Sequence, residues 1–502
     1  MIFTSSWILP LFLSFGTSLF ILYKYSTRKF DYWAKRGVYC PTPIPIFGNF
    51  ISACFFRYTI GEWLKRIYDT VNAPYFGLFI FDEPILIMKS PELIKNIAIR
   101  DFAYFVDRTV ACPMHDNIQS NMLFFQKTPV WRSDRVKLTP VFTSGKLKGM
   151  FPIVNSIGED LVRYLSKHKE VLNAKEVCSK YSTDVSAKCF FGINSHCFDN
   201  DDATFRKIGF SIFHFNLRNA FVQMAYFFRP RWVDLFHLDF IPTTTREYFS
   251  EAVKNTIKER EKSKIRKNDF VDILKDLEES DGHVCSTDSA SEKIIGQALQ
   301  FYAAGFETTS STIAFTLHEL CLNPSIQNKL RNEVRTNIKE NKGITYEGIQ
   351  DMKYLSMCIN ETLRKYPVLP FLDRTCNEDY KVPETDFVIE KGTPVFIPIY
   401  GLQMDEKYFP SPAKYDPERF SDSKLNENGL IYMPFGDGPR SCIGERFGLM
   451  ASKLALLHIL LNFEVEKCDK TPNPVEFATK SFVLQSKIGL PMIFKKIVPN
   501  PA

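Results

Sequence analysis

The chain has 502 residues, 45% of them hydrophobic and 24% charged, and it is unusually rich in Phe, with 46 against 21 Tyr and 5 Trp. That balance excludes a disordered or collagen-like chain. A net charge of +6 over this length does not point to nucleic acid. Length alone suggests about three domains. The 12 cysteines include no C-x-x-C pair of a zinc or redox site. An even number allows disulfides, although scattered cysteines in a long chain more often stay as buried thiols in a reducing compartment.

Trp7 to Tyr23 is uncharged and mostly apolar, and Lys24, Arg28, Lys29, Lys35 and Arg36 follow it. A cleaved signal peptide carries its positive charge before the apolar stretch, so residues 1–25 are expected to be an uncleaved membrane signal-anchor with the rest of the chain in the cytosol. Residues 26–49 read as a basic, proline-rich linker, stiffened by Pro41-Thr42-Pro43-Ile44-Pro45. Beyond it there is no long linker or repeat, so residues 50–502 are expected to form one catalytic domain. Tyr75 to Phe81 and Ile85 to Met88 flank Asp82-Glu83-Pro84 as a small hairpin, and a second hairpin is expected around Glu390-Lys391-Gly392. Ser90-Pro91-Glu92 is a helix start with a capping Ser. Arg260 to Ser291 is polar enough for a surface helix and loop. A long helix is expected from the Ser289 and Glu292 capping box to Asn323-Pro324. The fold class is mainly α with small β-sheets.

The strongest signal is Phe435-Gly436-Asp437-Gly438-Pro439-Arg440-Ser441-Cys442-Ile443-Gly444. It fails as a nucleotide loop, because Ser441 takes the third glycine position and Pro439 lacks an N–H. Cys442 precedes a helical run from Ile443 to Leu461, and a helix N-terminus stabilises a thiolate. The glycines let the backbone pass close to a flat group, Phe435 can pack on it, and Arg440 can pair with a carboxylate. A haem with an axial cysteine satisfies all four features.

Here the chain resembles the cytochrome P450 superfamily of haem-thiolate monooxygenases, whose signature is F-x-x-G-x-R-x-C-x-G. The resemblance runs from the anchor to the C-terminus and makes Cys442 the proximal iron ligand of haem b. Within the long helix, Ala304-Gly305-Phe306-Glu307-Thr308-Thr309-Ser310 combines a Gly with hydroxyls of poor helix propensity. Read alone it is equally a tolerated packing defect. The resemblance implies that it crosses the distal haem face, with Thr308 hydrogen-bonding bound dioxygen and Glu307 helping to deliver protons. Glu361 and Arg364 share a helix face and, alone, read as a surface ion pair. The resemblance joins them to Arg419 of Pro417-Glu418-Arg419-Phe420 in a buried network that steadies the Cys loop. It also makes Trp131, Arg135, Arg374 and Arg440 the contacts of the haem propionates. Gln403 departs from the pattern, since many relatives carry His there, and one outer haem contact is in doubt.

Ten Phe fall between residues 205 and 249. An aromatic stripe is more often core, but the resemblance places this region over the distal face. Pocket candidates are Phe105 and Phe124, then Phe213 and Phe221, then Phe301 and Ala304, and finally Leu369, Phe371 and Val483. Such a cavity takes lipophilic molecules by area with modest discrimination. Phe227-Phe228-Arg229-Pro230-Arg231-Trp232 reads as a loop touching the membrane. No flavin or nicotinamide fingerprint is present, so the resemblance implies electrons from NADPH through a separate cytochrome P450 reductase, with cytochrome b5 as a further donor. Arg132, Lys137, Lys146 and Lys148 form either its docking face or a solvated basic run. The runs Trp131 to Phe151, Glu361 to Cys376 and Tyr432 to Gly448 look most like the insect detoxification branch, which implies an endoplasmic reticulum enzyme acting on plant toxins and insecticides. A haem-thiolate isomerase or dehydratase, and a membrane-tethered haem sensor or lipophile carrier, are the alternatives.

Overall fold

The computed structural model describes residues 8–214, 216–264, 270–280, 292–421 and 431–497. Trp7, Phe215, Cys285, Ser289 and parts of the polar 260–291 stretch lie outside the described residues. The helices that bear on function are, in chain order, α1 (Ile8–Thr27), α2 (Val130–Leu138), α3 (Ser144–Lys167), α4 (Ala174–Ser186), α5 (Leu217–Phe228), α6 (Thr243–Ser263), α7 (Glu292–Leu322), α8 (Lys353–Lys365) and α9 (Glu445–Asn462). The strands are short: β1 (Tyr75–Ile80), β2 (Glu83–Met88), β3 (Leu172–Asn173), β4 (Leu372–Thr375), β5 (Tyr380–Lys381), β6 (Val388–Ile389), β7 (Pro394–Ile397), β8 (Phe463–Glu466) and β9 (Pro491–Lys496).

The backbone falls into two compact units. The smaller takes residues up to 109 together with 370–402 and 438–440; the larger takes 110–369, 403–437 and 441–502. Each unit draws on segments far apart in the chain, which local patterning does not register.

In the smaller unit a four-stranded sheet has the order β1-β2-β7-β4, with β7 parallel to β2 and antiparallel to β4. The first hairpin forms, with Ile80 paired to Glu83 and Phe79 to Pro84. Its turn is shorter than expected: Phe81 takes a left-handed φ of 57°, so Glu83 and Pro84 already belong to β2. The second expected hairpin does not form. The chain reverses at Gly392, but β6 pairs with β5 while β7 joins the larger sheet. Ser90 makes no side-chain cap, and Pro91 alone opens the helix after it. In α1, Leu11, Phe12, Leu13, Phe15, Phe20 and Ile21 are all exposed, and the helix is uncovered from Pro10 to Tyr25. Among the described residues no helix is long and apolar enough to cross a membrane.

The larger unit is built around α7, which packs against α4, α8 and α9. Gly305 explains how α7 and α4 approach: a Cβ there would stand 3.1 Å from Ser186 Oγ and 3.3 Å from the Phe190 ring. Much of the Phe-rich stretch turns out to be core. Phe205 and Phe249 pack edge-on at 4.9 Å and both reach Tyr302 of α7. Phe227 and Phe228 are buried too, and Phe227 stacks on Phe482 at 4.1 Å, so their rings do not face a membrane. The exposed apolar side chains nearby are instead Leu217, Phe221, Leu235 and Phe236.

Candidate functional site

Gly436 and Gly438 adopt left-handed φ values of 74° and 69°, which turn the loop ahead of α9. A Cβ on Gly438 would meet the Ala98 carbonyl oxygen at 1.9 Å, so only glycine fits. The Cys442 N–H donates to the Phe435 carbonyl at 2.8 Å, closing the loop so that the cysteine stands just before α9. Arg135 of α2 donates to the Ser441 carbonyl at 2.9 Å, and Trp131, one turn earlier, is buried. No disulfide joins the eleven described cysteines. Six are buried, four are half-buried rather than core, and Cys442 is exposed. Burial pushes the thiols of Cys178, Cys321 and Cys376 up to about 12, which keeps them protonated.

The middle of α7 carries an open strip on a helix that is otherwise covered. Ala304 is exposed and Gly305 and Thr308 are half-buried, whereas Phe301, Tyr302, Phe306, Glu307, Thr309 and Ser310 are buried. The Thr308 hydroxyl donates to the Ala304 carbonyl at 2.6 Å, and Thr312 repeats the pattern onto Thr308 at 3.0 Å. Glu307 lies on another face. Its Oε1 accepts from Lys175 Nζ at 2.8 Å and from Gln485 Nε2 at 2.6 Å.

In the smaller unit Arg374 and Arg440 are buried beside Arg108. Arg440 Nε donates to the Val106 carbonyl at 2.8 Å and its Nη2 meets Asp107 at 3.1 Å. Arg374 Nη1 reaches its neighbour's carbonyl, Asp373 O, at 2.7 Å, while its Nε is buried without a hydrogen-bond partner. Burial, and then repulsion from Arg108, lower Arg374 to about 10 and Arg440 to about 9. A buried positive cluster in which Arg374 Nε has no acceptor suits carboxylates.

The Glu361, Arg364 and Arg419 group is buried in the larger unit. Arg364 makes a bidentate pair with Glu361 at 2.7 and 2.9 Å, and Arg419 Nε approaches the same carboxylate at 3.4 Å. The remaining Arg364 donors go to the carbonyls of Gln403 (2.8 Å) and Pro412 (2.7 Å) and to the Met404 sulfur. Gln403 answers in kind: its buried amide donates to the Leu363 and Arg364 carbonyls at 3.1 and 3.0 Å, capping the end of α8.

The pocket candidates have diverse surroundings. In the smaller unit Phe105 packs edge-on to Tyr380 at 5.0 Å, and Phe371 stacks on Phe396 at 4.9 Å. In the larger unit Phe301 belongs to a ring cluster with Phe142 and Phe270, at 5.3 and 4.7 Å. Phe213 lies 6.4 Å from Phe306, Phe221 stacks on Trp232 at 5.9 Å, Val483 is buried and Leu369 is half-buried. The Phe124 N–H donates to Gln300 Oε1 at 2.6 Å, one helical turn from Ala304. Sequence reasoning missed Lys175, Gln485, Gln300 and Arg108. None falls in a recognisable motif; Gln300 alone sits at a spacing, four before Ala304, that places it on the open strip.

In the larger unit an exposed thiol stands just ahead of a helix, which suits a metal such as haem iron, and in the smaller unit two buried guanidinium groups gather beside Arg108, which suits carboxylates such as the haem propionates. The chain belongs to the cytochrome P450 family, whose model matches residues 38–490, and it is therefore a haem-containing monooxygenase with the P450 fold. Insect proteins are among its relatives. It is 41% identical to cytochrome P450 6k1 of Blattella germanica, with 96% of each chain covered. It is 40% identical to cytochrome P450 6j1 of the same organism, over 93% of this chain and 94% of that one. It is 34% identical to cytochrome P450 6a2 of Drosophila melanogaster, over 97% and 99%.

Proposed function

We propose that this protein is an NADPH- and O₂-dependent monooxygenase that inserts one oxygen atom into lipophilic xenobiotics such as plant toxins and insecticides. The observation that carries the reading is Cys442, exposed at the start of α9 while the six buried cysteines are shut in the core. Its thiolate would ligate haem iron, and the haem would supply the activation of dioxygen when bound. Trp131 and Arg135 of α2, and Arg374 and Arg440 of the smaller unit, would hold the propionates. Phe435 would pack on the ring. Thr308 presents a hydroxyl beside Ala304 on the open strip of α7 and would orient a proton there, with Glu307 behind it. Glu361, Arg364 and Arg419 would keep the Cys loop in shape.

The exposed apolar α1 supports a membrane anchor at residues 1–25, its first seven lying outside the described residues. Leu217, Phe221, Leu235 and Phe236 would add a second lipid contact, replacing the Phe227 and Phe228 rings. This fits attachment to the cytosolic face of the endoplasmic reticulum. A cytochrome P450 reductase, with cytochrome b5, would supply electrons. Arg132 and Lys146 are exposed, whereas Lys148 is engaged by Glu347, which leaves the basic docking face smaller than its sequence suggests.

The test is turnover of a lipophilic substrate panel by the reductase-coupled protein. NADPH-dependent hydroxylated product supports the reading. Substrate conversion without NADPH points to an isomerase or dehydratase, and tight binding with no conversion to a carrier. Cys442→Ala is expected to lose the thiolate-type band of the reduced CO complex, and a normal band in that variant removes the ligand assignment.

A further inference from the structure

Glu307 and Thr308 are neighbours in sequence, but on a helix successive side chains are about 100° apart. The carboxylate therefore cannot share the open strip with the hydroxyl. Glu307 is 1% exposed, and a carboxylate at such depth takes up a proton unless a cation faces it. The cation is Lys175, in the first turn of α4. Its Nζ lies 2.8 Å from Glu307 Oε1, 2.6 Å from Ser310 Oγ and 2.8 Å from Ser311 Oγ. Ser310 and Ser311 stand three and four residues after Glu307, so they occupy its face of α7. All three ammonium protons thus have acceptors on one face of one helix, and a fourth contact reaches the Glu307 carbonyl at 3.3 Å. Gln485 donates to the same Oε1. The Lys175 side chain is 23% exposed, so it joins this buried face to solvent.

We infer that Lys175 is the positioning residue of the distal side: it holds Glu307 ionised and turned away from the strip, where the carboxylate can take and pass a proton. This rests on the monooxygenase reading for its consequence but not for its geometry. Among the described groups facing Glu307, Lys175 carries the charge and Gln485 is neutral; Cys178, which feels the same ammonium, is held protonated by burial.

The test uses the full-length holoenzyme with reductase, as wild type, Lys175→Met, Lys175→Arg and Lys175→Met combined with Glu307→Gln. In Lys175→Met, infrared spectroscopy at neutral pH is expected to show a protonated carboxyl band that the added Glu307→Gln removes. Product formed per NADPH is expected to fall by about 10-fold, less than the roughly 10²–10⁴-fold of a deleted proton-transfer group because Glu307 itself remains, with the balance appearing as peroxide. KM and the reduced-CO band are expected to stay unchanged, and Lys175→Arg to restore wild-type coupling. If Lys175→Met does not fold, Lys175→Gln carries the same expectations. A carboxyl that stays ionised without the lysine, or coupling equal to wild type, overturns the proposal. If wild type itself oxidises nothing, the functional reading fails, and the infrared band alone still decides whether Lys175 keeps Glu307 charged.

Discussion

In the larger unit Glu361 is surrounded by Arg364, Arg419 and the Asp416 N–H, and each Arg364 donor finds an acceptor within the protein. In the smaller unit Arg374 and Arg440 are as deeply buried, but they repel one another and Arg374 Nε has no partner. Arg364 is saturated within the protein and Arg374 is not. A saturated guanidinium needs nothing from outside, which suits a role in the fold. A buried one with an unpaired donor carries a cost that an anion would relieve, which suits the ligand role proposed for Arg374.

The largest expected effect breaks the Glu361 cluster. Glu361→Ala leaves the buried Arg364 and the half-buried Arg419 uncompensated, and such a loss typically costs about 3–5 kcal/mol. Denaturant unfolding should show it, and haem content should fall with it. Arg374→Leu should behave in the opposite way. Removing a buried charge whose Nε has no acceptor should leave the haem-free fold as stable as wild type or more so, while haem dissociates at least about 10-fold faster, as read by transfer to apomyoglobin. Equal loss of stability in both variants would erase the distinction.

Two buried histidines sharpen the contrast, because a buried base can also escape its cost by staying neutral. His318 has neither ring nitrogen hydrogen-bonded, and His458 reaches Asn155 at 3.0 Å; burial lowers both to about 4. The unfolded chain then binds more protons than the folded one between about pH 6.5 and 4. Stability is full above that window and falls with pH through it, by about 2 kcal/mol per histidine at pH 5. His318→Leu should flatten the acid loss measured by unfolding at pH 7 and pH 5. Smaller again is Gln403→Leu, which strips two hydrogen bonds from the end of α8 and should cost about 1–2 kcal/mol. Lys148→Ala, at an exposed ion pair, should change stability by under about 1 kcal/mol.

The legible parts were those whose signal is local. The long helix around Ala304 to Ser310, the β1–β2 hairpin and the loop from Phe435 to Gly444 each announce themselves within a few tens of residues. The second hairpin was misread because Val388–Ile389 and Pro394–Ile397 alternate like partners, yet each finds a better-placed strand from elsewhere in the chain. Phe227 and Phe228 were misread because an aromatic pair beside arginines looks alike whether it meets lipid or Phe482. Gln403 looked like a damaged haem contact, and its amide turned out to cap the helix that carries Glu361 and Arg364.

By itself the sequence determined the family and the helix-rich fold, because the spaced residues from Phe435 to Gly444 and the helical periodicity are signals carried within a few tens of residues. Only the tertiary structure decided which charges are satisfied. That Lys175 meets Glu307 across 132 residues, that Arg364 is saturated and that Arg374 is not all depend on which distant carbonyls and carboxylates the packing brings within about 3 Å, the reach of a hydrogen bond. No local pattern encodes that distance.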